Sequence, residues 1–223
     1  MENHKEKYKI IDKKILNSDT FTLSLVLESG EIPTFIPGQY INIFFDDLGT
    51  SEGKAYSLSS APTEKKFDIT IKVIGTFSEK LNSLKVGDEI QGTLPYGFFY
   101  SEERSDLVLI SAGIGITPFR SMIIENQSLL EKRKISLFHS VKEEYDLIFK
   151  EDFERINSDK FRYIKNVSSK YGRLDQEKLN LMGLEDKEFM ICGSISFVRD
   201  MWKILVDFGI SQDQIYTEAF FSH

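Results

Sequence analysis

Residues 107–118 read Leu107-Val108-Leu109-Ile110-Ser111-Ala112-Gly113-Ile114-Gly115-Ile116-Thr117-Pro118, and the reading of the fold turns on them. Four apolar residues in a row, Leu107–Ile110, running on through Ser111-Ala112 to a glycine turn, have the pattern of a buried strand. Beyond the glycines, Thr117 suits a helix N-cap, and Pro118 suits the first helical position, where a missing N–H costs nothing. A strand that turns on glycines into a helix start is how α/β proteins bring backbone N–H groups up to a phosphate. The glycines remove the Cβ atoms that would hold a pyrophosphate away. The third glycine of G-x-G-x-x-G is absent, so the turn points to a nucleotide without saying which. An ordinary strand-to-helix connection is the competing reading.

Outward from the turn, the chain changes character near residue 100. Before it, Phe21, Leu23, Leu25 and Leu27 alternate with Thr22, Ser24 and Val26, and Phe67, Ile69, Ile71 and Val73 with Asp68, Thr70 and Lys72. These are period-two strands. Residues 40–45 and 89–94 read as further strands, with turns at Ser29-Gly30, Pro37-Gly38, Leu48-Gly49 and Val86-Gly87-Asp88. A short helix is expected from Ser78 to Leu84, capped by Ser78. Strands in this number and pattern predict a small antiparallel barrel. After residue 104, strand patterns at 107–112, 135–139, 161–167 and 188–192 alternate with helical ones near 118–130, 149–156, 176–182 and 197–208. A last strand is expected at 215–220. That alternation calls for a parallel sheet covered by helices. The expected domains are therefore residues 1–101, an antiparallel β-barrel, and 102–223, an α/β parallel-sheet domain, with a ligand cleft between them.

Composition narrows the function classes. The 28 basic and 35 acidic residues give a net charge of −7, which argues against nucleic-acid binding. No apolar run approaches the ~20 residues of a membrane span. The first seven residues lack the apolar core of a secretory signal, so the expected compartment is the cytosol. One cysteine, Cys192, forms no internal disulfide and cannot supply the four thiolates of an iron–sulfur cluster. His4, His139 and His223 have no metal-ligand spacing. The 18 Phe and 9 Tyr offer planar surface for a core, or for stacking on a flat cofactor.

Four further segments acquire meaning together: Lys54-Ala55-Tyr56-Ser57-Leu58-Ser59-Ser60, Gly75-Thr76-Phe77-Ser78, Cys192-Gly193 and Glu218-Ala219-Phe220. In this order and spacing the chain resembles the ferredoxin–NADP⁺ reductase superfamily of flavoproteins from about Tyr8 to Phe220. The family's flavin motif Arg-x-Tyr-Ser-x-x-Ser corresponds to Lys54–Ser60, and its Gly-x-x-Ser to Gly75–Ser78. Its Gly-x-Gly-x-Thr-Pro matches Gly113–Pro118, and its Cys-Gly pair matches Cys192-Gly193. The resemblance implies an FAD-binding barrel followed by a nicotinamide-dinucleotide-binding α/β domain.

It also implies roles. Tyr56 is expected against one face of the flavin ring and Ser57 near its N5, with Phe220 covering the other face. Lys54 and the helix start formed by Gly75, Thr76, Phe77 and Ser78 are expected at the FAD pyrophosphate. Ala55, Ile71, Lys72 and Val73 line the cofactor. The dinucleotide pyrophosphate is expected on Gly113, Gly115, Thr117 and Pro118. Cys192, Gly193 and Glu218 flank the nicotinamide, so that Ser57, Cys192 and Glu218 form the catalytic set.

Two departures stand out. Lys54 replaces the usual arginine, and a point charge cannot grip two phosphate oxygens as a planar fork does, which leaves FMN as the lesser alternative to FAD. Phe221 follows Phe220 and could share its role. Lys142 stands where NADPH-using relatives place a cation, but Ser168-Ser169 replace the second one, with Lys170 and Arg173 following. NADH and NADPH both remain open. The resemblance implies an FAD-dependent NAD(P)H oxidoreductase that passes electrons to a ferredoxin- or flavodoxin-like carrier. The alternatives are a reductase of free flavin or ferric iron, and an electron-transfer subunit working with a redox partner subunit.

Overall fold

The computed structural model describes residues 5–49, 53–101, 105–125, 133–180, 184 and 186–220. The chain divides into two compact units, Met1–Phe98 with Thr117–Glu125, and Phe99–Ile116 with Asn126–Ser222.

The first unit holds six strands: β1 (Glu6–Ile15), β2 (Thr20–Leu27), β3 (Tyr40–Phe44), β4 (Lys54–Ser57), β5 (Asp68–Lys72) and β6 (Glu89–Gly92). They form an antiparallel sheet in the order β4-β3-β6-β1-β2-β5. Its two edges meet where Leu58 bridges Ile69 and the Ser59 N–H donates to the Asp68 carbonyl at 2.8 Å, which curls the sheet into a barrel. The period-two residues do what the pattern predicts: Phe21 pairs with Ile71 and Leu23 with Ile69, and all four are buried. In β1 the register slips between Ile10 and Asp12. This bulge keeps Tyr8 and Ile10 inside and leaves Ile11 half exposed. Tyr8 is fully buried because its hydroxyl donates to the Thr93 carbonyl at 2.8 Å.

Helix α1 spans Thr76–Ser83, starting three residues earlier than Ser78 as cap implies. Gly75 occupies the cap, and the Ser78 hydroxyl reaches back to accept from the N–H groups of Ile74 (2.9 Å) and Gly75 (3.1 Å). The hydroxyl still caps the helix, but from its third residue. Helix α2 is described over Thr117–Glu125, and the rest of the expected stretch to 130 lies outside the described residues. Thr117 is its first helical residue and not an N-cap, because a 3-10 turn at Gly113–Ile116 leads straight into it.

The second unit is a five-stranded parallel sheet of β7 (Asp106–Ala112), β8 (Ile135–Val141), β9 (Phe161–Val167), β10 (Lys187–Ser194) and β11 (Ile215–Phe220), in the order β11-β10-β7-β8-β9. Helices α3 (Lys150–Glu154), α4 (Ser168–Tyr171), α5 (Gln176–Asn180) and α6 (Ile195–Asp207) connect or follow the strands. The expected helix at 149–156 is shorter because Phe149 sits in the left-handed region (φ 61°) and delays its start. Val198, Met201 and Leu205 lie on one face of α6 and are buried in the same core as Phe189 and Ile191 of β10. From β7 the chain runs outward to β8 and β9, then returns to the other side of β7 for β10 and β11. The strand order therefore reverses between β7 and β10, and ligands of such sheets bind at the carboxyl ends of the strands flanking that point.

Candidate flavin and dinucleotide sites

In the first unit, the flavin-motif segment Lys54–Ser57 is strand β4, at one edge of the sheet order, with Tyr56 opposite Ile41 and Ser57 opposite Tyr40. Ser57 is buried, Lys54 and Tyr56 are half-buried, and Ala55 is exposed. Burial pushes the Tyr56 phenol well above its usual range, so it stays neutral. Its ring lies 6.3 Å from Phe77 at an interplanar angle of 26°, and Phe77 lies 4.9 Å from Phe45. The two expected flavin segments thus meet through Tyr56 and Phe77, beside the first turn of α1. The N–H groups of Thr76, Phe77 and Ser78 have no carbonyl four residues back within the helix, and the helix dipole is positive there. On β5, Ile71 points into the core, Lys72 pairs with Asp19 at 3.2 Å, and the Val73 N–H is taken by the Asp19 carbonyl at 2.7 Å.

Within the same unit, α2 is tied to the chain just after the flavin motif. Arg120 grips both carboxylate oxygens of Glu64 (2.9 and 3.0 Å) and donates to the Ser59 carbonyl at 2.7 Å. Ser121 donates to the Ser60 carbonyl at 2.6 Å, and Thr63 donates through N–H and hydroxyl to Glu125. Burial pushes Glu64 up, but hydrogen bonds from Arg120 and the Ala61 N–H, with the Arg120 charge, hold it below the usual carboxylate range. No spacing rule connects partners 56 positions apart, so the sequence carries no signal for Arg120.

In the second unit, the carboxyl ends of β7 and β10 lie side by side, with Cys192 opposite Ser111. A Cβ on Gly115 would lie 2.4 Å from the Cys192 carbonyl oxygen, so this glycine lets the turn pack on β10 and does not serve a ligand's approach alone. Gly113 is different. Its φ is +53° and nothing lies within 4 Å of an added Cβ, so its backbone borders open space in a conformation that favours glycine. On Gly193 a Cβ would meet the Phe197 ring at 2.9 Å and Ala112 at 3.1 Å. Cys192 is fully buried, and burial, then the Glu218 carboxylate, push its thiol up, so it is a neutral S–H and not a thiolate. Glu218 stands opposite Cys192 on β11 and Phe220 opposite Ser194, both half-buried. Phe221 lies outside the described residues.

Lys142 is exposed just beyond β8, where its carbonyl accepts from the Ser169 N–H at 3.1 Å. The neighbouring cation Lys170 is paired with Glu144, and Ser169 donates to Glu143 at 3.0 Å. The residues present fit both cofactors. An aromatic face and a helix start stand together in one unit, and an open left-handed glycine stands at the strand-order reversal of the other. Among the described residues no group of three or more His, Cys, Asp or Glu side chains could hold a metal ion, and no helix is long and apolar enough to cross a membrane.

Two family models match consecutive parts of the chain. Residues 7–100 match the model for the oxidoreductase FAD-binding domain, and residues 109–203 that for the oxidoreductase NAD-binding domain. The chain thus pairs an oxidoreductase FAD-binding domain with an oxidoreductase NAD-binding domain. Its fold is that of the ferredoxin–NADP⁺ reductase superfamily.

Curated relatives include the flavohemoprotein of Bacillus subtilis (strain 168), 32% identical over 86% of this chain and 53% of that protein, and the flavohemoprotein of Bacillus anthracis, 30% identical over 95% and 60%. The chain thus spans between half and three fifths of the length of these relatives. A ferredoxin NADP⁺ reductase from Neisseria gonorrhoeae with bound FAD and NADP has the same fold, with a TM-score of 0.81 over 97% of this chain and 99% of that one at 24% identity. The flavohem-like FAD/NAD-binding domain of the nitric oxide dioxygenase of Vibrio cholerae O1 biovar El Tor gives 0.75 over 96% and 98%, also at 24% identity.

Proposed function

We propose that residues 1–101 bind FAD, that residues 102–223 bind NADH or NADPH, and that electrons from the nicotinamide leave singly to a separate protein acceptor. The observation that carries this reading is the pairing of an FAD-binding and an NAD-binding domain in one chain. When bound, FAD supplies the switch between a two-electron hydride donor and a one-electron acceptor. The chain's residues supply binding and orientation. Tyr56 stacks on the flavin ring, Ser57 offers its hydroxyl to the reacting edge, and Ala55, Ile71, Lys72 and Val73 line the cofactor. Lys54 and the first turn of α1 hold its pyrophosphate. Gly113 to Pro118 hold the pyrophosphate of the dinucleotide, with Lys142 toward its ribose end. Cys192, Gly193 and Glu218 border the nicotinamide. The neutral Cys192 thiol adds no charge there, and Phe220 or Phe221 shields the flavin.

A ferredoxin- or flavodoxin-like carrier is the acceptor this reading names. A haem protein is the second reading, favoured by flavohemoprotein relatives of which this chain matches little more than half. Anaerobic stopped-flow mixing with NADH and with NADPH tests the first step. The flavin absorbance is expected to bleach with at least one of them. A protein that stays yellow with both would overturn the reading. A colourless protein after dialysis that reduces added riboflavin would establish a free-flavin reductase instead.

A further inference from the structure

Ser59 and Ser60 follow β4 two and three residues beyond Ser57, and both are buried. The barrel takes their N–H and hydroxyl groups on one side. The Ser59 N–H donates to the Asp68 carbonyl, and the Ser59 hydroxyl shares a hydrogen bond with that of Thr70 at 2.8 Å. The Ser60 hydroxyl donates to the Lys66 carbonyl at 3.0 Å and accepts from the Asp68 N–H at 2.9 Å. Their two carbonyls go the other way, to α2: Arg120 takes the first and Ser121 the second. The carboxylate that Arg120 grips also accepts from the Ala61 N–H at 2.8 Å. Three consecutive peptide groups after the flavin strand therefore end on one cluster of Arg120, Ser121 and Glu64.

That cluster lies at one end of α2. Arg120 is the fourth residue of the helix that Thr117 and Pro118 begin, and α2 and β4 belong to the same compact unit. An arginine that served only the fold would need one acceptor. This one spans a carboxylate and a carbonyl with its fork, both just past the strand that carries Tyr56 and Ser57. We propose that Arg120 is a positioning residue for hydride transfer: it holds the start of α2, where the dinucleotide pyrophosphate rests, in register with the flavin strand β4. The proposal rests on the reading of Lys54–Ser57 as the flavin strand and of Gly113–Pro118 as the dinucleotide cradle. In the transfer, the dihydronicotinamide loses a hydride, two electrons and a proton, and the oxidised flavin gains it. Arg120 acts on the distance between the two rings, and a misplacement of about 1 Å can cost about a hundredfold in rate.

The test uses the flavin-loaded protein with whichever of NADH and NADPH bleaches the parent, at a temperature where each variant is folded. Three quantities are measured: the limiting rate of anaerobic flavin reduction, the affinity for ADP-ribose by calorimetry, and the change in flavin absorbance on adding the oxidised nucleotide. ADP-ribose has the pyrophosphate without the nicotinamide, and the absorbance change reports the nicotinamide at the flavin with no reaction occurring. Arg120→Leu is expected to lower the limiting rate about tenfold or more and to lose the absorbance change, with ADP-ribose affinity within about twofold of the parent. Arg120→Lys keeps the charge without the fork and is expected to slow reduction about threefold. A folded Arg120→Leu with the parent's rate and absorbance change would make the arginine structural only and would overturn the proposal. So would an ADP-ribose affinity that falls as far as the rate, because binding and not placement would then be lost. If Arg120→Leu does not fold, Arg120→Lys decides, and parental values in it overturn the assignment. A parent protein that binds no ADP-ribose would instead remove the cradle, and the proposal with it.

Discussion

Arg120 and Glu64 show what one side-chain pair contributes in this chain. The guanidinium is 13% exposed and the carboxylate 25%, and the contact is bidentate, so the pair is neither a screened surface bridge nor fully desolvated. Arg120→Leu removes the guanidinium from Glu64 and from the Ser59 carbonyl and is expected to cost about 2 kcal/mol in urea unfolding at neutral pH. Because folding holds the Glu64 pKa below its unfolded value, its contribution is present above the usual carboxylate range and is lost as pH falls through the lowered value. The stability gap between the parent and Glu64→Gln should therefore shrink steadily below about pH 4. A gap that stays constant down to about pH 3 would show that the charge contributes nothing. Cys192 makes a different kind of prediction. Its thiol is buried and neutral, so Cys192→Ala should slow flavin reduction by NAD(P)H while flavin content is unchanged. A variant that lost flavin but reduced the remainder normally would contradict the role proposed for it.

Elements were legible in the sequence to the extent that their signal was local. The period-two runs of β2 and β5 and the apolar run of β7 are visible because burial on one face or two writes itself into every second residue, or into every residue. Helix starts were harder. Ser78 caps α1 from inside the helix, and Thr117 continues a 3-10 turn, so the residue types were informative and their positions were not. The same holds for the two glycines of the turn. Spacing treats Gly113 and Gly115 alike, yet one borders open space and the other touches the Cys192 carbonyl. The partners of Arg120, which are Glu64 and the Ser59 carbonyl, come from a distant turn, and no local pattern could name them. The glycine contrast gives a prediction at this scale. Gly115→Ala drives a methyl into backbone and should lower stability by about 2–3 kcal/mol. Gly113→Ala meets no atom and pays only for its left-handed conformation, about 1 kcal/mol. Thermal unfolding of the two variants checks the order, and equal losses would show that the turn relaxes away from β10.

Across the whole molecule, the quantity that bears on partner choice is charge. The chain carries a net charge of −7, and at low ionic strength two proteins respond to each other's net charge before their docking faces meet. Lys65-Lys66 and Lys132-Arg133-Lys134 are runs of basic residues that could form a local basic face. In the structure, however, Arg133 is buried and donates to Ser101, which itself donates to Glu188, so the middle of the second run is spent inside its own unit. The approach of an acidic ferredoxin should then be opposed at long range, and that of a basic haem protein favoured. Flavin-mediated reduction of a basic one-electron haem acceptor is expected to slow by about tenfold as salt rises from about 0.02 to 0.3 M. Reduction of an acidic iron–sulfur carrier should hold steady or accelerate over the same range. The opposite pair of slopes, measured under second-order conditions with the reduced protein, would mean that a basic face outweighs the net charge. It would also favour the ferredoxin-like carrier over the haem protein as the acceptor.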